Sequence, residues 1–206
     1  MQTLGEDEEA TSLLPSAQEI AALPLDRLID ALRAAAGTAE GADVVTACLL
    51  QLYKLVQRSG TDEAAVQGGA IGVTIQAMGA HPSSAAVQAS ACEVLMVMLL
   101  GAHDADADAA TKARLQLALD AGALATVIRA VNEHGAVEAV AQRGLMALGV
   151  IVGRHGGLRR QALALGASAQ WLDLAHQVAG GHAADEDEAS MMLQSFGLGS
   201  GEAMDT

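Results

Sequence analysis

The sequence predicts an all-α fold made of repeated units, a right-handed α-solenoid of about four repeats. Segments 69–96 and 122–149 align without a gap at an offset of 53 residues. Self-similarity at such a period is typical of repeats that bury their apolar faces by stacking on one another. The chain is 51% hydrophobic, yet it has one Trp, one Tyr and one Phe. Because Ala and Leu dominate, and strands favour aromatic and β-branched residues, we expect helices throughout.

The first elements are predicted from capping signals. Ser16 and Glu19 have the spacing of a capping box, in which each satisfies a backbone N–H of the other. They begin a short helix that ends near Pro24. Proline is favoured in the first turn of a helix, where its missing N–H is no loss, so Pro24 begins the second helix. A longer helix is predicted over 42–58.

From residue 61 onward the sequence shows a three-helix pattern. Each unit has a short helix, a glycine-containing corner, a medium helix and a long helix, and glycine fits the corner because it lacks a Cβ. The predicted segments of the first unit are 61–67, 68–69, 70–79 and 84–100. Those of the second unit are 111–120, 121–122, 123–133 and 136–154. A third occurrence begins in 158–177, with Gly166 at its corner, and ends in 185–196.

These segments predict one repeat domain between two tails. Residues 1–14 form an acidic tail and residues 198–206 a second tail, and both are predicted to be disordered. The repeat domain covers 15–197. Its units are placed approximately at 16–58, 61–100, 111–154 and 157–196.

The three-helix pattern resembles the armadillo repeat. The corner motif of that family is matched by Gly69-Ala70-Ile71 and Gly122-Ala123-Leu124. Its long-helix motif is matched by residues 87–91 with Leu95, and by residues 140–144 with Leu148. The resemblance implies a superhelix in which the small Ala91 and Gly144 let helices approach closely and the outer units act as caps. HEAT repeats share this period and composition and are the alternative.

The resemblance implies a binding function in which the long helices line a groove for a protein partner. Armadillo proteins that bind basic localisation peptides carry Trp and Asn four residues apart on these helices. The matching positions here are Leu50 and Lys54, Glu93 and Val97, and Met146 and Val150. We therefore do not expect that binding mode. The candidate partner-binding residues are Lys54, Ser90, Glu93, Arg143 and Met146.

The charge balance narrows the class of partner. The formal net charge is −14, with 25 acidic residues against 11 Lys and Arg. Phosphate groups are bound by clustered cations, so nucleic acid and anionic membranes are not expected partners. We expect a protein partner, with a basic or helical peptide as the candidate ligand. The predicted function is an interaction scaffold or a structural subunit of a larger assembly. The alternative is a regulatory subunit that acts on an enzyme through its acidic loop, 102–110, or its tails.

No catalytic, cofactor-binding or metal-binding residues are predicted, and we do not expect an enzyme. Asp104, Asp106 and Asp108 have the spacing that opens an EF-hand loop. Such a loop also needs Gly at its sixth position and Glu at its twelfth, where this chain has Ala109 and Leu115. The segment is therefore interpreted as a solvated insertion. His81 and His134 occupy equivalent loop positions and are predicted to have structural roles.

The remaining features predict a cytoplasmic protein. Cys48 and Cys92 each lie in an apolar helical segment, which favours two buried thiols in a reducing compartment. The first residues have neither the basic nor the apolar region of a secretory signal. The longest strictly apolar run, 94–100, is far shorter than the ~20 residues of a membrane span.

Overall fold

A computed structural model describes residues 15–38, 41–58, 61–100, 107–153 and 156–180. All regular structure within these ranges is α-helical, as predicted. The eleven helices are α1 (Ala17–Ala22), α2 (Leu25–Ala36), α3 (Ala42–Val56), α4 (Thr61–Gln67), α5 (Ala70–Ala80), α6 (Ala85–Leu100), α7 (Ala107–Asp120), α8 (Ala123–His134), α9 (Glu138–Val152), α10 (Gly156–Ala164) and α11 (Ala169–Gly180). The predicted tails, 1–14 and 198–206, and the predicted helix 185–196 lie outside the described residues.

The capping box at the first helix is confirmed. The Ser16 hydroxyl accepts a hydrogen bond from the Glu19 backbone N–H, and the Glu19 carboxylate accepts one from the Ser16 backbone N–H at 2.8 Å. Pro24 is the N-cap of α2, one position before the predicted first turn. Its carbonyl accepts the first helical hydrogen bond, from the Leu28 N–H at 2.9 Å, while its ψ of 160° is still extended.

The three predicted glycine corners have left-handed backbones. Gly69, Gly122 and Gly166 have φ angles of +84°, +87° and +91°. Gly69 and Gly122 directly precede α5 and α8, and Gly166 lies between α10 and α11. A residue with a Cβ is strained in this region, so glycine sets the direction of each corner.

Replacing Gly122 by alanine should destabilise the fold by about 1 to 2 kcal/mol, because alanine is strained at this positive φ. An added Cβ meets nothing within 4 Å there, so the cost is purely conformational. The matched control is Gly72→Ala in α5, where the Cβ would also point into open space but the backbone is helical. That change should instead stabilise by about 0.5 to 1 kcal/mol. Urea unfolding measures both, and a shift of the same sign in the two variants would contradict the assignment.

The helices pack in two rows. The long helices α3, α6 and α9 lie side by side in that order, and α9 also packs against α11. The helices α2, α5 and α8 form the second row, and each packs against the long helix that follows it in sequence. The short helices α4 and α7 contact the helices around them, α4 touching α3 and α5 and α7 touching α5, α6 and α8.

The central position of α6 explains its composition. Residues 87–95 are all buried, and α6 contacts α3, α9 and α5. A helix that packs against neighbours on most sides is apolar around most of its circumference. Its buried Gln88 is accommodated by hydrogen bonds from its side-chain amide to the carbonyls of Met78 and His81, at 3.0 and 2.9 Å. Gln88 thereby binds carbonyls at the end of α5.

The close approach predicted at Gly144 is confirmed. A Cβ added at Gly144 in α9 would lie 2.5 Å from Cγ2 of Val131 in α8, well inside van der Waals contact. The absence of a side chain at this position therefore sets the separation of α8 and α9.

Two elements differ from the predicted pattern. Helix α7 begins at Ala107 instead of near 111, so the end of the predicted insertion is helical. The sequence Ala107-Asp-Ala-Ala110 explains the extension, because alanine is the strongest helix former and an early Asp complements the helix dipole. Helix α11 follows a corner glycine, as the medium helices do, but it packs along the long helix α9. Within the described ranges, no helix has the length and apolarity needed to cross a membrane.

Candidate functional site

The long helices carry equivalent residues in rows across one face. Leu50, Glu93 and Met146 occupy matching positions on α3, α6 and α9, and Lys54, Val97 and Val150 follow one helical turn later. We call the surface formed by these six residues and Arg143 the inner face. Leu50 is 40% exposed, Lys54 is exposed, and Val97, Met146 and Val150 are half-buried. Glu93 is buried, and the positions between these residues pack into the core, so the inner face is the partly exposed side of the long-helix row.

An ion pair connects two of the predicted residues across the inner face. Arg143 Nε on α9 lies 3.4 Å from Glu93 Oε2 on α6, and the Arg143 side chain is 30% exposed. Glu93 is buried, so the pair compensates a carboxylate that would otherwise be costly to desolvate. Because the Arg143 side chain keeps 30% of its surface exposed, part of the guanidinium faces solvent.

The exposed charges on the inner face are positive, whereas the net charge of the whole chain is negative. Lys54 is exposed and has no acidic partner among the described residues. Arg143 is partly exposed, while the Glu93 carboxylate is buried and already paired. A chain with a formal charge of −14 therefore presents two cations on an otherwise mostly apolar surface.

Ser90 differs from the other predicted binding residues. It is only 4% exposed and lies within the fully buried stretch of α6, so its hydroxyl contributes little to any surface. The equivalent residue on α9 is Arg143, whose longer side chain reaches solvent. The structure brings Glu93 and Arg143 into contact. Met146 lies one helical turn after Arg143 on α9, and Lys54 lies on α3, the long helix at the edge of the row.

The main polar cluster lies elsewhere and was not predicted from the sequence. Arg114 on α7 donates to Asp62 Oδ2 at 3.0 Å and to Glu63 Oε2 at 2.8 Å, both on α4, and to the Met98 carbonyl at 3.3 Å. Burial raises the pKa of Asp62, but the hydrogen bond and charge of Arg114, together with backbone hydrogen bonds, outweigh burial and leave the pKa lowered. The hydrogen bond from Arg114 lowers the pKa of Glu63 as well. The cluster clamps α4 to α7.

The clamp was missed because repeat equivalence does not indicate it. The 53-residue offset matches Arg114 with Thr61, so there is no equivalent cation in the preceding unit. The useful signal was that Arg114 lies between the apolar residues Ala113 and Leu115 of α7. Such a side chain is buried only when it is paired.

The two equivalent histidines have different contacts. His134 Nε2 lies 2.7 Å from the Pro82 carbonyl, which connects the loop before α6 to the end of α8. His81 is the C-cap residue of α5, and its backbone carbonyl accepts a hydrogen bond from Gln88. The ring contact of His134 is structural, as predicted. The His81 contact involves only the backbone, so the role of its side chain stays a prediction.

The buried thiols are also placed in the core. Cys48 and Cys92 are free and buried, as predicted. Burial raises the pKa of Cys48 to about 11 and that of Cys92 to about 12, so neither thiol forms a reactive thiolate near neutral pH.

Within the described part of the chain, no group of three or more His, Cys, Asp or Glu is arranged to hold a metal ion. Asp104 and Asp106 of the EF-hand-like segment lie outside that part. Comparison of the chain with models of protein families, with curated proteins and with solved structures found no match.

Proposed function

We propose that this chain is a protein–protein interaction scaffold or a structural subunit of a larger assembly. In this proposal it is a short right-handed α-solenoid of about four armadillo-like repeats that presents its inner face to a protein partner. The observation that carries the proposal is the side-by-side packing of α3, α6 and α9, with equivalent residues forming rows on their free side. HEAT-like units would present the same kind of surface.

The chemistry of the inner face favours an amphipathic partner. Leu50, Val97, Met146 and Val150 offer apolar contacts in rows about 8 to 10 Å apart, the usual distance between packed helices. A helical peptide with apolar residues at i, i+3, i+4 and i+7 fits such a surface. The two available cations, Lys54 and Arg143, select acidic groups on that peptide. The local charge thus favours an acidic amphipathic helix over the basic peptide expected from net charge alone.

Binding of a partner to the inner face can be tested with two double variants. Each replaces one Leu by Asp and one cation by Glu. Leu50→Asp with Lys54→Glu should reduce capture of a native partner at least tenfold, equivalent to about 1.4 kcal/mol. The change places two carboxylates where an apolar, acidic ligand would bind. The readout is quantitative affinity capture from the native source, followed by measurement of each partner's retained fraction.

The matched control is Leu117→Asp with Arg129→Glu. Leu117 on α7 is 52% exposed and Arg129 on α8 is exposed, so this variant makes the same kinds of change away from the inner face. We expect it to retain the partner. A partner that persists with the inner-face variant, or that is lost equally with both variants, would overturn the proposal.

The alternative, a regulatory subunit acting through the acidic loop or the tails, depends on residues 101–106 and on the two ends of the chain, outside the described ranges. Because α7 begins at Ala107, deletion of 102–110 would remove part of a helix. Deletion of 102–106 tests the loop while leaving α7 whole.

A further inference from the structure

The four methionines in the described part of the chain differ in their access to solvent. Met78 and Met98 are fully buried in the core. Met96 on α6 and Met146 on α9 are half-buried, and both belong to the row of long helices. A small oxidant in solution can therefore reach the thioethers of Met96 and Met146, whereas the core excludes it from the other two.

Two contacts show that α6 and α9 run parallel. The ring of His134, just before α9, lies 2.7 Å from the carbonyl oxygen of Pro82, just before α6. Further along the same two helices, Arg143 of α9 pairs with Glu93 of α6. Because the two contacts follow each other in the same order on both helices, α6 and α9 point in the same direction.

The ion pair places the two half-buried methionines at the same level of the helix pair. Met96 follows Glu93 by three residues, and Met146 follows Arg143 by three. Three residues advance a helix by about 4.5 Å, and residues three apart are neighbours on its surface. Both thioethers therefore lie one turn beyond the ion pair, on two helices that pack directly against each other. Met96 also directly precedes Val97, so it borders the inner face.

We propose that Met96 and Met146 form a reversible oxidation site for hydroperoxides, and that their oxidation prevents an apolar partner from binding the inner face. The sulfur lone pair of each thioether attacks the terminal peroxide oxygen. An S–O bond forms, the O–O bond breaks, and the proton of the transferred oxygen moves to the leaving oxygen, which departs as water or an alcohol. Each sulfur loses two electrons to the peroxide. Methionine sulfoxide reductases reverse this step.

Oxidation changes the chemistry of the inner face at its apolar positions. A thioether is flexible and apolar, whereas a sulfoxide is polar and chiral. Burying the sulfoxide oxygen under the apolar side chains of a partner helix is unfavourable, because the oxygen loses its hydrogen bonds to water. The two sulfoxides would lie beside Val97 and Val150, which offer apolar contacts. The inference rests on the proposed function, since it describes the regulation of the same face.

Peptide mass spectrometry of the full chain during exposure to hydrogen peroxide tests the selectivity of the site. Sulfoxide should form at Met96 and Met146 at least tenfold faster than at Met78 and Met98, while circular dichroism shows that the fold is retained. Equal rates at all four residues, or oxidation only after the fold is lost, would overturn the site. A sulfoxide reductase with its reductant should remove the added oxygen, and sulfoxide that persists would contradict reversibility.

Leucine variants test the effect of oxidation on binding. Met96→Leu with Met146→Leu approximately preserves side-chain volume and cannot form a sulfoxide. After treatment with peroxide and its removal, this variant should retain the captured partner, whereas the wild-type chain should retain at least tenfold less. The matched control, Met78→Leu with Met98→Leu, keeps the reactive pair and should lose the partner as the wild type does. The methionines outside the described residues remain in every variant, so equal loss by both variants would overturn the proposal.

The oxidation site and the scaffold function fail in different experiments. If Leu50→Asp with Lys54→Glu keeps the partner while peroxide still oxidises Met96 and Met146 selectively, the scaffold function fails and only the oxidation site stands. If partners depend on the inner face but remain bound after both methionines are oxidised, the effect on binding fails and the scaffold function stands.

Discussion

Replacement of Arg114 by alanine is expected to lower the free energy of unfolding by about 3 to 5 kcal/mol, the usual cost of breaking a buried ion pair. Arg114 and Asp62 are 6% and 8% exposed. The substitution leaves the Asp62 carboxylate buried without its cation and removes the hydrogen bond to the Met98 carbonyl. It also frees α4 from α7. Chemical denaturation followed by circular dichroism measures the loss.

Two controls separate the clamp from the general effect of losing a cation. Arg129→Ala on the exposed surface of α8 should change the free energy of unfolding by no more than about 0.5 kcal/mol. Arg114→Met combined with Asp62→Asn should recover part of the loss, since no buried charge then remains unpaired. Equal effects of Arg114→Ala and Arg129→Ala would show that the clamp does not stabilise the fold.

The clamp also has a defined pH dependence. The pKa of Asp62 is lowered in the folded chain below its ordinary value of 3.8, so folding favours the ionised form. This stabilisation is fully present above the unfolded pKa and is lost as pH falls through the folded pKa. The difference in stability between wild type and Arg114→Met combined with Asp62→Asn, a variant with neither charge, should therefore be constant from pH 7 to about 5 and shrink below about 4.

Local features of the fold were predictable because they depend on residues close in sequence. The capping box at Ser16 involves two residues three positions apart. Gly69, Gly122 and Gly166 identify the corners because each adopts a backbone that other residues avoid. Such signals do not depend on the rest of the chain. The helices that begin or end at these residues lie close to the predicted ranges.

Contacts between units could not be predicted in the same way. Arg114 meets Asp62 across 52 residues, and its position has no equivalent cation in the preceding unit. The pairing of Glu93 with Arg143 depends on which residues of α6 and α9 face each other, and the repeat offset does not specify this. The position of α11 beside α9 was missed for a related reason: Gly166 predicts a corner but not which helix the next segment packs against.

The inner face was predictable as a set of positions but not as a set of exposed groups. Matching the long helices identified Leu50, Glu93 and Met146 as equivalent. Their exposure depends on the helices at each side. Leu50 on α3, at the edge of the row, is 40% exposed, while Glu93 on the central helix α6 is buried. The groove predicted from the sequence therefore overestimates how much surface the central helix α6 contributes. Ser90, a predicted binding residue on α6, is buried.

Enlargement of Gly144 is the second change with a large expected effect. Gly144→Leu should destabilise the fold by about 3 kcal/mol, because overpacking a filled core displaces the backbone. Even the first added atom would lie 2.5 Å from Cγ2 of Val131. Val131 is buried, and its β-branched side chain has essentially one rotamer in a helix, so it cannot move aside. Thermal and urea unfolding both measure the loss.

The sign of a smaller change tests whether Val131 is the cause. Gly144→Ala in the wild-type chain should destabilise, because the clash outweighs alanine's advantage of about 1 kcal/mol over glycine within a helix. In a Val131→Ala background the clashing methyl groups are gone, and the same Gly144→Ala should stabilise by up to about 1 kcal/mol. A double-mutant cycle isolates this reversal from the cost of Val131→Ala itself. If Gly144→Ala has the same effect in both backgrounds, the separation of α8 and α9 is not set by this contact.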